Sequence, residues 1–286
     1  MNEVHIDALV PAEMAVRAEQ VGIRKAEMPA LPMFTLAGLA GAFISLGAVF
    51  ATTVSAGGAA LPYGLGRLFA GLAFCLGLIL VVVGGAELFT GNNLIVMAWA
   101  SGKVTTRALL RNWALVYVGN FAGSFATAIL MFFTRQYTFG ADAVGITALK
   151  TAVAKVEYTF LQALALGILC NALVCMAIWL TFSARSTWDK IAAIIFPIAA
   201  FVAAGFEHSV ANMYFIPYAI LVKVFDPEFV SRIGDSVPRL EVLTWKSFLL
   251  ANLLPVTIGN IIGGAALVAA VYWSIYLRGT ANIIKS

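Results

Sequence analysis

The chain has 286 residues, 62% hydrophobic and 11% charged, with a mean hydropathy of +0.94 and a formal net charge of +4. A soluble domain carries roughly 25% charged residues, so this composition excludes one and points to a chain solvated by lipid. Nor does the positive charge read as a nucleic-acid surface, because the basic residues stand singly at the ends of apolar runs and not as a patch with interleaved aromatics.

The first 32 residues carry charges of both signs, among them Glu13, Arg17, Glu19, Arg24, Lys25 and Glu27, with no short apolar core ahead of a cleavage site. Residues 1–32 are expected to form a cytoplasmic segment. Pro11 followed by Met14, Val16, Ala18 and Val21 fits a short helix lying on the membrane surface or under a pore mouth, and a solvated tail fits equally well. His5 could report pH to a gate.

Six apolar stretches follow, at 33–53, 65–85, 109–133, 160–182, 191–224 and 247–277. Each reaches the ~20 residues that a helix needs to cross a hydrocarbon core. They are continuously apolar and do not alternate in short segments, which excludes a β-barrel. The fold class is an all-α integral membrane protein, with a transmembrane domain over 33–278 and a tail over 279–286. Lys103, Arg107 and Arg111 in one short loop and Arg185 and Lys190 in another place that face, and both termini, in the cytoplasm. Cys75, Cys170 and Cys175 lie inside apolar runs without disulfide or metal-ligand spacing, so they read as small buried hydrophobes. No metal or other cofactor is expected.

The second stretch ends in Gly85-Ala86-Glu87-Leu88-Phe89-Thr90-Gly91-Asn92, and the fifth contains Gly205-Phe206-Glu207-His208-Ser209-Val210-Ala211-Asn212; both read G-x-E-x-x-x-x-N. Likewise Asn112, Gly119, Asn120 and Gly123 in the third match Asn252, Gly259, Asn260 and Gly263 in the sixth. Two matches in the same order divide the chain into repeats over about 33–133 and 155–278. Three crossings per repeat invert the second relative to the first, so the substrate path is expected between them near mid-bilayer.

The glycines around Glu87 and Glu207 mark broken second and fifth helices, and lipid tolerates non-helical backbone only where it is buried in protein or lines a wet cavity. Each half-helix restarts after its break, with Thr90, Asn92 or Asn93 available to cap the first and Ser209 the second. Two positive helix ends near the membrane centre favour an anion over a cation. Gly119-xxx-Gly123 and Gly259-xxx-Gly263 read as close helix packing, while Asn120 and Asn260 could line the lumen or bond between helices.

Ionisable residues within the spans are Glu87, Glu207 and His208. A charge at the bilayer centre costs roughly 3 kcal/mol or more, so each needs a reason to be there. The glutamates occupy the same place in both repeats and read as acceptors for backbone N–H groups freed by the breaks. His208 replaces Leu88 of the first repeat, and with a reference pKa of about 6.5 imidazole can exchange a proton with a weak acid. A lone histidine with no cysteine cluster makes no haem or zinc site, and no phosphate-binding loop occurs, which argues against an intramembrane enzyme or an ATP-driven pump. A pore for a neutral solute also suits the inverted repeats but leaves His208 and Lys155 without a role.

These motifs, with Leu169-Cys170-Asn171 and the run Pro255-Val256-Thr257-Ile258-Gly259-Asn260, resemble the signature segments of the formate/nitrite transporter family over nearly the whole chain. The Phe215-Ile216-Pro217 continuation resembles its formate-channel branch more than its nitrite or hydrosulfide branches. The resemblance implies a homopentamer of aquaporin-like protomers in a bacterial inner membrane, each moving formate or a similar small anion, passively or with protons. It places the central histidine on His208, the threonine of the first broken loop on Thr90, a vestibule lysine on Lys155 and a pore asparagine on Asn171, with Asn260 and the loop residues Asn92 and Asn212 in signature positions. Apolar constrictions fall on Phe74, Leu78, Leu88, Phe89, Val174 and Phe201, which by pattern alone read as ordinary core. The implied path draws in an anion at Lys155, lets it take a proton or a strong hydrogen bond near His208 and Thr90, and passes it as the neutral acid.

Overall fold

The computed structural model describes residues 8–57 and 61–278, and no strand occurs among them. His5 and the 279–286 tail lie outside the described residues. The chain runs through α1 (Pro11–Glu27), α2 (Ala30–Ser55), α3 (Tyr63–Gly84), a short half-helix (Gly91–Ile95 continued by α4, Val96–Ala100), α5 (Thr106–Thr134), α6 (Ala143–Val156), α7 (Phe160–Thr181), α8 (Thr187–Ala204), α9 (Ser209–Phe225), α10 (Pro227–Ile233) and α11 (Ser247–Tyr276). Six of these, α2, α3, α5, α7, α8 and α11, are long and apolar enough to cross a membrane, and α9 is a shorter apolar helix. They fall on the six stretches expected from hydropathy.

The two halves repeat the same packing. Helix α2 lies against α3 and α5 as α7 lies against α8 and α11, while α3 and α8 pair across the halves. Tyr117 and Thr257, which hold equivalent places in the duplicated motif, hydrogen-bond to each other at 2.8 Å, so the pseudo-two-fold axis passes between them. The glycine pairs serve the close packing expected of them: a Cβ on Gly123 would collide with the Gly38 carbonyl, and one on Gly263 with the Ile168 carbonyl.

The correspondence reaches upstream of the 33–133 and 155–278 bounds. Lys25-Ala26-Glu27 closes α1 just as Lys155-Val156-Glu157 closes α6, so each repeat begins with a short helix laid beside its half-helix. Over Pro11–Glu27 the N-terminal segment is thus a docked helix and not a solvated tail. Its buried face runs through Met14, Ala15, Ala18, Glu19, Gly22 and Ala26, whereas Val16, expected on that face, is 45% exposed. Leu9 and Ser183 exchange hydrogen bonds, and Lys103 grips Glu19 at 2.5 Å.

Helix α11 contains two wide stretches, Ser247–Leu253 and Ile262–Ala270, whose hydrogen bonds reach one residue beyond the α-helical register. The first leads into Pro255, which has no N–H to give the Ala251 carbonyl, and a wide turn accommodates that loss.

Candidate functional site

Helices α3 and α8 stop in the same way. Gly85 and Gly205 take left-handed conformations, with φ of 76° and 78°, where a side chain would be strained. The next N–H turns back into the finished helix, Ala86 to the Val81 carbonyl and Phe206 to the Phe201 carbonyl, each at 2.9 Å. The backbone freed by each break is then held by an asparagine. Asn120 Oδ1 accepts the Phe89 N–H at 2.9 Å, and its amide donates to the carbonyls of Ala37 and Glu87. Asn260 does the same in the second repeat, accepting the Ser209 N–H at 2.9 Å and donating to the carbonyls of Gly167 and Glu207. The side chain of Asn260 is therefore spent on the break.

This corrects the expected job of the glutamates, since the freed N–H groups go to Asn120 and Asn260. Glu87 instead takes Lys25 at 2.6 Å and the Asn92 amide at 2.8 Å, while Asn112 links Asn92 to the Lys25 carbonyl. Glu207 takes Lys155 at 2.7 Å and the amides of Asn212 and Asn252, and Asn252 reaches the Lys155 carbonyl. Each repeat thus closes a ring of one lysine, one carboxylate and two asparagines. A carboxylate buried at this depth requires such a set of partners.

The half-helix caps also differ from expectation. At the first half-helix no side chain caps the start: Thr90 turns elsewhere, Asn92 belongs to the Glu87 ring, and the Asn93 amide donates to the Phe89 carbonyl. At the second, His208 is the cap, its Nδ1 accepting the Ala211 N–H at 3.1 Å, and Ser209 Oγ has no partner. The same ring reaches Thr90 Oγ1 through Nε2 at 3.0 Å. A nitrogen that accepts from a backbone N–H holds a lone pair, so this network assigns the imidazole proton to Nε2. Nε2–H donates to Thr90, whose own hydroxyl hydrogen is free to point to a solute. A histidinium would need a hydrogen on Nδ1 and would break the cap.

Asn171 ties the first break to α11, its amide donating to the Thr90 carbonyl at 3.2 Å and the Asn260 carbonyl at 2.6 Å. In the first repeat the place of Asn171 is taken by Gly41, where a Cβ would collide with the Asn120 carbonyl. The place of Gly264 is there taken by Ser124, whose hydroxyl bonds the Gly41 carbonyl at 3.2 Å.

Two cavities approach this centre from opposite sides. One, of about 310 Å³, is walled by Arg17, Lys25, Val81, Leu88, Ile178 and Lys190 among others. The second, of about 340 Å³, is walled by Arg67, Phe74, Lys150, Lys155, Phe201 and His208 among others. Of the expected constriction residues, Leu88 faces the first cavity, and Phe74 and Phe201 face the second with their rings edge to face at 5.7 Å. Phe201 also stacks on His208 at 5.9 Å. Leu78 and Val174 are fully buried and wall neither cavity, and Phe89 packs on Trp113 and Tyr117. Thr90, likewise buried, walls neither cavity.

Lys25 escaped the sequence reading, although its K-x-E echo of Lys155 was there to be read. Among the described residues no group of three or more histidine, cysteine, aspartate or glutamate side chains could hold a metal ion.

A family model described as formate/nitrite transporter matches residues 12–274. The chain is 46% identical over 273 residues to the formate channel FocA of Escherichia coli (strain K12), covering 95% of this chain and 96% of that one. The formate channel FocA of Haemophilus influenzae is 42% identical, covering 90% and 91%. A solved pentameric formate channel with formate bound superposes with a TM-score of 0.82 at 47% identity, over 87% of this chain and 98% of that chain.

Proposed function

The chain belongs to the formate/nitrite transporter family, a family of transporters and not of enzymes, and from that premise we propose that each protomer carries formate across the membrane through the Thr90–His208 centre. One observation carries this reading: a buried Thr90–His208 contact at 3.0 Å, with one hydroxyl hydrogen left to offer a solute, sits between two cavities lined with cations, at the start of two interrupted helices. Formate enters a vestibule as an anion and meets apolar walls that strip its hydration. The Thr90 hydroxyl, held in place by the His208 Nε2–H that it accepts, supplies a hydrogen bond at that point. While Nδ1 caps α9 the ring stays neutral, so the proton that turns formate into formic acid comes from a hydronium ion in the vestibule, which is left as water, and not from the ring. The neutral acid then crosses between Leu88, Phe74 and Phe201.

The resemblance to a pentameric formate channel supports a homopentamer with one pore per protomer. Arg111 bonds the Met28 carbonyl and Lys103 pairs with Glu19, so these loop cations share a face with α1. That supports a multi-pass protein of the bacterial inner membrane with its N-terminal side cytoplasmic.

Uptake of formate, nitrite and hydrosulfide by proteoliposomes, measured in parallel across pH for wild type and His208→Asn, tests the assignment. Formate uptake in wild type, reduced at least tenfold in the variant, is the expected result. Swelling in glycerol with no formate signal would support a neutral-solute pore instead, and a larger nitrite or hydrosulfide flux would move the chain to another branch of the family.

A further inference from the structure

The lysine that the family resemblance places in the vestibule is not a free charge here. Lys155 Nζ lies 2.7 Å from Glu207 Oε1, with the lysine side chain 14% and the glutamate 2% exposed, and Lys25 is paired with Glu87 in the same way. A cation and an anion in contact present little more than a dipole to an ion arriving from several ångströms away. The second cavity nevertheless has three cations in its wall and one carboxylate, which leaves two charges uncompensated, Arg67 and Lys150. Neither has an acidic partner among the described residues.

Arg67 reaches from α3 to the end of α8. Its Nε donates to the Ala203 carbonyl at 3.0 Å and a second guanidinium nitrogen to the Val202 carbonyl. These carbonyls are the negative end of α8, at the lip of the break. The guanidinium therefore outweighs the partial negative charge, about half a unit, that would repel an anion from His208, and leaves a net positive charge at the same place. Lys150, on α6 and exposed, stands farther out on the same wall. The first cavity has the matching arrangement, with Arg17 and Lys190, neither paired to an acidic residue among the described residues, beside the Lys25–Glu87 pair.

We propose that anion capture in each vestibule is set by these cations, Arg67 and Lys150 on one side and Arg17 and Lys190 on the other, and that the two Lys–Glu pairs are electrostatically silent braces. The proposal rests on the reading of this chain as an anion pathway. It predicts that capture is sided: each cation pair acts on solute entering from its own cavity.

The test is formate uptake by proteoliposomes of known orientation, for wild type, Lys150→Gln, Arg67→Gln/Lys150→Gln and Arg67→Lys. At about 10 mM salt, where screening is weak, the double variant should raise the half-saturating formate concentration from the Arg67 side about tenfold and leave entry from the other side unchanged. At about 300 mM salt the difference should shrink below about twofold. Arg67→Lys keeps the charge and should retain capture, which separates charge from the packing of α8. Should the double variant fail to fold, Lys150→Gln alone, on an exposed side chain, should show a sided and salt-sensitive rise of about threefold. An unchanged half-saturation, an equal effect from both sides, or an effect insensitive to salt overturns the proposal. If wild type carries another monoanion but not formate, the same measurements with that anion decide the capture question while the formate assignment falls; if it carries no monoanion, both fall.

Discussion

The two broken segments share a skeleton and differ in their chemistry. Both stop at a left-handed glycine, both hang their freed backbone on an asparagine, and both hold a carboxylate in a ring with one lysine and two asparagines. Across the pseudo-axis, however, Thr90 meets His208, while the positions equivalent to these two are Val210 and Leu88, which carry no polar side chain. Duplication supplied the frame twice, and the polar contact was placed on it once. What is repeated is therefore structural, and what is unrepeated is the place to look for solute chemistry.

The ring residues offer the largest effect with which to break that comparison. Glu207→Ala strands Lys155 and should cost about 3–5 kcal/mol in detergent unfolding, as expected for half of a buried pair. Glu87→Ala should cost less, because the Lys25 side chain, at 27% exposure, can swing to water. Equal losses would mean that the two rings are not distinguished by burial. Asn260→Ala strips the Ser209 N–H and the Glu207 carbonyl of the asparagine that holds them, and should cost about 2–3 kcal/mol with Asn120→Ala close behind. A loss from one asparagine only would show that the clasps are not equivalent.

His208→Leu makes the second break resemble the first, and should leave the thermal midpoint within a few degrees while formate flux falls at least tenfold, about 1.4 kcal/mol in barrier. Flux that survives would move the chemistry off this contact. The smallest effect lies outside the membrane, where Arg232 hydrogen-bonds Asp142 at 2.8 and 3.1 Å and holds its carboxyl below the usual aspartate range. A depressed acid contributes stability above its unfolded pKa, near 3.8, and loses it as pH falls through the folded value. Asp142→Asn should lower the thermal midpoint by less than about 2 °C at neutral pH, and by nothing resolvable once the medium is acidic enough to protonate the wild-type carboxyl.

Much of the fold was legible because lipid imposes simple rules. Continuous apolar runs gave all six spans, and the duplicated glycine, glutamate and asparagine positions gave the breaks and the inversion. The partners within the breaks were not legible in the same way. Spacing places Glu87 and Asn120 near one loop, but it does not say which of them takes the Phe89 N–H; that depends on how α5 crosses α2. His208 was singled out by its asymmetry, yet its role as a helix cap, with the tautomer that follows, required the position of Ala211. The wide turns of α11 left one trace in the sequence, Pro255, and nothing that marked their extent.

Gly41 and Gly264 restrict how this chain can change. At the crossing of α2 and α5 the glycine is on the first helix, and at the equivalent crossing of α7 and α11 it is on the second, opposite Asn171. Gly264→Ser would drive its side chain into Asn171, and Gly41→Asn would strike the Asn120 backbone. Neither repeat can acquire the other's larger residue first; the exchange must pass through glycine on both helices, without the hydrogen bonds that Ser124 or Asn171 makes. A route of that kind sets an order on drift, small residue before large, and so tends to keep the lopsided centre in place.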